Sequence, residues 1–131
     1  MPESLPSGWE SKYIGPPDMW AGTAGADVVG GEVIEINDDG TNPQVGIVVA
    51  NASSGDTVIY YIAGRFTVAC ATGDVIAAGN QLYWDVSANE AVLAATAGSG
   101  DPFLGTALTA AGSGITQVEI LLNHVNQADK A

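Results

Sequence analysis

From residue 27 onward, short apolar runs alternate with clusters of Gly, Asn, Asp and Ser, the punctuation of a chain of brief strands. Strands are predicted over 28–36, broken at Gly30-Gly31, and over 44–50, 57–62, 65–70, 75–77, 81–84, 91–95, 103–109 and 116–122. In the first, Glu32, Ile34 and Ile36 share one face and Val33 and Glu35 the other. Over 65–70 the alternation puts Phe66, Val68 and Cys70 toward a core and Arg65, Thr67 and Ala69 outward. Val118, Ile120 and Leu122 share a face against Gln117 and Glu119. Residues 58–62 are apolar on both faces, as in a central strand covered twice or a strand whose second face meets another subunit. Ala63-Gly64 invites a tight hairpin between 57–62 and 65–70, and Asn37-Asp38-Asp39-Gly40 is a turn. About nine short strands without a long helix predict an all-β fold: a compact small β-barrel or β-sandwich with an extended N-terminal arm.

Residues 88–97 admit a second reading. Ser87-Ala88-Asn89-Glu90 has capping-box spacing, and no breaker follows until Gly98, so a short helix competes with the strand. The surrounding pattern favours the strand.

Residues 1–26 differ from the rest. Pro2, Pro6, Pro16 and Pro17 restrict the backbone, and Trp9, Tyr13, Ile14, Met19 and Trp20 are scattered without period. Each tryptophan buries about 200 Å² when covered. The segment therefore reads as an extended arm lying on its own domain, a neighbouring subunit or a larger partner. The expected organisation is an arm over 1–26, a β domain over 27–124 and a short polar tail over 125–131. Removal of residues 1–22 is expected to leave that domain folded.

Charge narrows the partners. Fifteen acidic residues against three basic ones give a formal net charge of -12. Such a surface repels phosphate backbones and anionic membranes, and no Lys/Arg cluster offsets it, so neither nucleic acid nor membrane is expected as a partner. No stretch approaches the roughly 20 apolar residues of a membrane span, and no secretory signal is visible.

Candidate chemistry is sparse. Glu35, Asn37 and Asp39 before Gly40 superficially resemble a calcium loop, but Gly46 stands where the bidentate Glu belongs, so a polar turn explains them better. Cys70 is the single cysteine and His124 the single histidine. This excludes an internal disulfide and a histidine-built metal site within one chain, and Cys70 reads as a small buried hydrophobe. No glycine cluster is followed by the Lys-Ser/Thr of a phosphate loop, and no carboxylate pair stands in an aromatic-rich run. No catalytic residue, cofactor, metal or small-molecule substrate is expected. Arg65, the sole arginine, is either a solvent-facing strand charge or half of an ion pair between subunits.

Three stretches carry a family resemblance. They are Ser54-Gly55-Asp56 leading to a strand and Ala63-Gly64-Arg65-Phe66-Thr67-Val68; Ala78-Gly79-Asn80-Gln81-Leu82-Tyr83-Trp84-Asp85; and Phe103-Leu104-Gly105-Thr106-Ala107-Leu108 with Gly114 and Val118-Glu119-Ile120-Leu121-Leu122. In order and spacing they resemble the phage capsid decoration, or cement, proteins, and the likeness extends back to Gly31-Glu32-Val33. The acidic turn at 37–40 and the arm depart from the pattern. The resemblance implies a structural protein made in the host cytoplasm. It would assemble as a homotrimer on the outer capsid surface of the virion and stabilise the shell by bridging neighbouring major capsid proteins. Trp9, Tyr13, Ile14, Trp20, Tyr61 and Arg65 are the expected interface residues. A tail- or fibre-associated β domain is the alternative, and a hydrolase a more remote one.

Overall fold

A computed structural model of the protein describes residues 19–37 and 44–123. They form nine strands: β1 (Met19–Thr23), β2 (Val33–Asn37), β3 (Gln44–Val48), β4 (Thr57–Tyr61), β5 (Arg65–Ala69), β6 (Gln81–Asp85), β7 (Glu90–Leu93), β8 (Phe103–Ala107) and β9 (Gln117–Leu122). The first four make an antiparallel sheet in the order β1-β4-β3-β2, and the last five another in the order β5-β9-β8-β6-β7. The all-β expectation holds, and the architecture is sandwich-like rather than a closed barrel. The second sheet curls until its edge strands approach through a single parallel bridge, Cys70 to Ala91.

The principal core lies between the sheets. Val45 and Ile47 of β3 meet Val68, Leu82, Leu104 and Ile120 there, with Val33, Tyr61 and Phe66 packed at its margin. Each fully buried aliphatic side chain of this kind contributes about 1.5–3 kcal/mol. Two smaller clusters back the sheets. Val48, Val58 and Tyr60 cover the far side of the first sheet with Ala24 and Val28. Tyr83, Val92 and Phe103 cover the far side of the second, where the Tyr83 and Phe103 rings meet edge to face at 5.9 Å. Strand β6 is therefore buried on both faces at Leu82, Tyr83 and Trp84. The predicted outward and inward positions of β5 and β9 are those observed.

Several expectations are corrected. Strands β4 and β5 do not form a hairpin: they belong to different sheets, and Ala63-Gly64 carries the chain across the corner between them. Gly64 has φ +120°, which admits the crossing, and its carbonyl accepts Leu122 N–H at 2.9 Å. The strand predicted over 28–36 begins only at Val33. Upstream, Val28 makes an isolated bridge to Ala52, and Gly31 turns the chain at φ +90°. The strand predicted over 75–77 reduces to one bridge, Ile76 to Ala111.

The arm loses its last residues to the domain. Met19–Thr23 pairs with Thr57–Tyr61 along its whole length, so removing residues up to 22 would strip most of an edge strand. At 88–97 the strand reading prevails, over Glu90–Leu93. Asp85 Oδ1 accepts Ser87 Oγ at 2.7 Å and the N–H groups of Ser87 and Ala88. That turn, with Asn89 at φ +57°, brings β7 back beside β6 instead of starting a helix. The turn at 38–40, His124 and the tail over 125–131 lie outside the described residues.

Candidate docking surfaces

The first sheet carries apolar surface that the second does not seal. Ala21 stands opposite Ile59, and Val49 donates its N–H to the Ile59 carbonyl at 2.9 Å, so Ala21, Ile59 and Val49 form a row across the sheet. Alternation places this row on the same side as Ile47 and Tyr61, which pack into the intersheet core. Yet Ile59 is 46% and Val49 37% exposed. All three residues of the row are exposed, and none carries a charge.

The opposite side of the first sheet holds a groove of about 400 Å³. Val58 and Tyr60 form its floor, Ile34 and Ile36 one wall and the stretch from Gly22 to Ala26 the other, and two carboxylates, exposed Glu32 and half-buried Glu35, also line it. Two glycines make room for the Tyr60 ring. A Cβ on Gly46 would stand 2.8 Å from Tyr60 Cδ2, and one on Gly22 would stand 3.1 Å from the Tyr60 hydroxyl. Burial pushes that hydroxyl's pKa above its ordinary value, so it stays neutral.

The three expected interface residues that lie among the described residues, Trp20, Tyr61 and Arg65, stand on different faces. Trp20 pairs with Tyr60 on the groove side of β1 and is half exposed. Tyr61 faces the other way, half-buried, its ring 5.4 Å from that of Phe66. Arg65 projects from the outer side of the second sheet. Its Nε donates to Glu119 Oε1 at 2.9 Å, and Nη2 reaches the same oxygen. Its charge is thus met within the chain, although 71% of the side chain remains exposed. Trp9, Tyr13 and Ile14 lie outside the described residues. Reading the sequence missed both the Ile59 row and the groove, for which the doubly apolar run at 58–62 was the available signal.

Several carboxylates hold loops. Asp74 accepts Leu93 N–H at 2.8 Å and Thr96 Oγ1 at 2.7 Å, while buried Asp101 accepts Gly98 N–H at 2.8 Å. Among the described residues no three His, Cys, Asp or Glu side chains are grouped to hold a metal, and no helix is long and apolar enough to cross a membrane.

Residues 18–122 match the phage cement protein family. The chain belongs to that family. No curated protein matches it. As a phage cement protein it is a capsid decoration protein and resides on the capsid surface of the virion. The matched span runs from the residue before β1 to the last residue of β9, so the family unit is the pair of sheets. Residues 1–17 fall outside the match.

Proposed function

We propose that this cement protein clamps the phage head by bridging neighbouring major capsid proteins, acting by binding rather than by catalysis. The observation that carries the reading is the uncharged Ala21–Ile59–Val49 row on a chain that belongs to the cement family. On so acidic a surface, a charge-free apolar strip desolvates at low penalty and suits a flat protein contact. A protein that binds the assembled shell and not its dissociated subunits stabilises the shell by mass action. Repetition over the lattice adds effective concentration, so each contact can be modest.

The proposal has three parts. The protein assembles as a homotrimer, residues 1–18 with Trp20 act as an anchoring arm, and Arg65 lies near a subunit boundary. Deletion of residues 1–17, which keeps β1 whole, is expected to leave a cooperatively folding domain with reduced occupancy on cement-free particles. Full occupancy of the truncated protein would remove the arm from the attachment mechanism. Ile59→Glu is expected to abolish binding without unfolding the free protein, and retained binding would refute the role of the row. Sedimentation of the free and particle-bound protein tests the trimer. An unchanged mass for Arg65→Ala across a dilution series would exclude Arg65 from the boundary.

A further inference from the structure

Strands β1 and β2 are the outer strands of the first sheet. Open edges invite pairing with another chain, and folded proteins blunt them with charges, prolines or bulges. Strand β2 carries Glu35 and a register shift between Glu35 and Asn37. Strand β1 has no such device: Met19-Trp20-Ala21-Gly22-Thr23 is uncharged, contains no proline and pairs with β4 in unbroken register. Among the described residues, nothing pairs with its outer edge.

The Ile59 carbonyl accepts Val49 N–H, so the backbone polar groups of Ile59 face β3. Those of its neighbours Val58 and Tyr60 therefore face β1, where they meet Gly22 and Trp20. The N–H and C=O groups of Met19, Ala21 and Thr23 are left pointing outward, and these three positions are symmetric about Ala21. We propose that β1 pairs antiparallel with β1 of a second copy about a two-fold axis at Ala21, making one continuous sheet across the two chains.

The side chains fit that register. It sets Met19 against Thr23, Ala21 against Ala21, and Trp20 against Gly22 of the second copy. The last is a non-hydrogen-bonded pair, with Cα atoms about 4.5 Å apart and side chains at their closest. Trp20 is 50% exposed within its own chain and finds a glycine across from it. Its indole covers that Gly22 and meets the neighbouring Tyr60, whose hydroxyl lies 3.1 Å from where a Gly22 Cβ would stand. On the opposite side the two Ala21–Ile59–Val49 rows join into one uncharged strip. Two chains with a formal charge of -12 approach with least repulsion along an edge that carries no charge.

A second copy matches this edge better than the sequence that precedes it. The family match starts at residue 18, so the edge belongs to the family unit and residues 1–17 do not. Every five-residue window of 1–17 contains a proline or a charged residue, so none matches β1 as β1 matches itself. A two-fold contact closes on two chains and cannot build a trimer. It would join a copy in one trimer to a copy in the next, and it stands independently of what the apolar row binds.

Full-length Met19→Cys and Thr23→Cys copies, mixed under mild oxidation in solution and on cement-free particles, test the register. Across the pair these positions stand about 5.5 Å apart, within disulfide reach, whereas two Met19 positions stand about 14 Å apart. The mixed dimer is expected at least about tenfold more abundantly than the dimer from Met19→Cys alone, which geometry forbids. Ala21→Pro in both copies removes an outward N–H and no bond to β4, so it should abolish the excess while leaving the urea midpoint near that of the parent. Equal yields in both settings overturn the proposal. Protection of the Met19, Ala21 and Thr23 amides from hydrogen exchange without excess dimer also overturns it: on particles it gives the edge to a capsid strand, and in dilute free protein to the chain's own N-terminal segment. Excess dimer in solution from a protein that fails to bind particles would leave the pairing standing and refute the capsid clamp.

Discussion

Asn123, the residue after β9, donates its side-chain amide to the Val45 carbonyl of β3 at 2.8 Å. The same nitrogen donates to the Ile62 carbonyl beyond β4 at 2.9 Å. One side chain at the end of the second sheet thus ties two strands of the first. Asn123 itself sits at φ +54°, a conformation that asparagine tolerates well.

Asn123→Gly keeps that backbone available and deletes the amide. It is expected to lower the unfolding free energy by about 1–3 kcal/mol, because two carbonyls lose their donor. Asn123→Ala should lose at least as much, since it adds left-handed strain. Urea denaturation of the pair checks this, and an unchanged midpoint for Asn123→Gly would show that the tie contributes nothing.

Gly105 and Gly46 are predicted to differ in sensitivity. A Cβ on Gly105 would overlap the Leu121 backbone carbonyl, which no rotamer change can relieve. A Cβ on Gly46 would press on the root of the Tyr60 ring. Gly46→Ala is expected to destabilise by about 1–3 kcal/mol, and Gly105→Ala by more, because strands β8 and β9 would have to separate. Equal shifts in melting temperature would contradict this ranking.

The turn between β6 and β7 is expected to weaken in acid. The Ser87 hydroxyl, then the Ala88 N–H, holds the Asp85 carboxyl below its ordinary pKa. A depressed folded-state value means that the contribution is complete above the unfolded-state value, about 4. It is then lost as pH falls through the lower folded-state value. Asp85→Asn should therefore be less stable than the parent at neutral pH, with the gap closing in strong acid. A gap independent of pH would show that charge at Asp85 is irrelevant to the turn.

Cys70 is expected to resist thiol reagents in the native protein. Burial raises its pKa, and the negative charges of Glu90 and Asp74 raise it further, so thiolate is scarce as well as inaccessible. Labelling should follow opening of the sandwich, becoming faster in Gly105→Ala than in the parent. Rapid native-state labelling at mildly alkaline pH would refute this account.

Much of the fold was legible in alternation. The inward faces of β5 and β9 followed from Phe66, Val68, Cys70, Val118, Ile120 and Leu122, because each strand faces water on its other side. Strand β1 was not legible, because Met19-Trp20-Ala21-Gly22-Thr23 has neither alternation nor β-branched density. It is a strand because β4 offers it an edge. The docking surfaces were illegible for a related reason. Trp20 and Tyr61 are near in sequence order of pairing but lie on opposite sides of the sheet, while Ile59 looks like any core residue until the extent of the second sheet is known.

The residue pattern by itself determined the all-β class, the approximate strand positions and the acidic character of the chain, since each depends on local periodicity or on composition. Tertiary structure decided which strands pair, that Ala63-Gly64 crosses between sheets instead of closing a hairpin, and which apolar residues remain exposed. The physical reason is that pairing and coverage are set by contacts between segments distant in sequence. A run such as 58–62 carries the same hydrophobicity whether its second face meets its own chain, a second copy or a capsid.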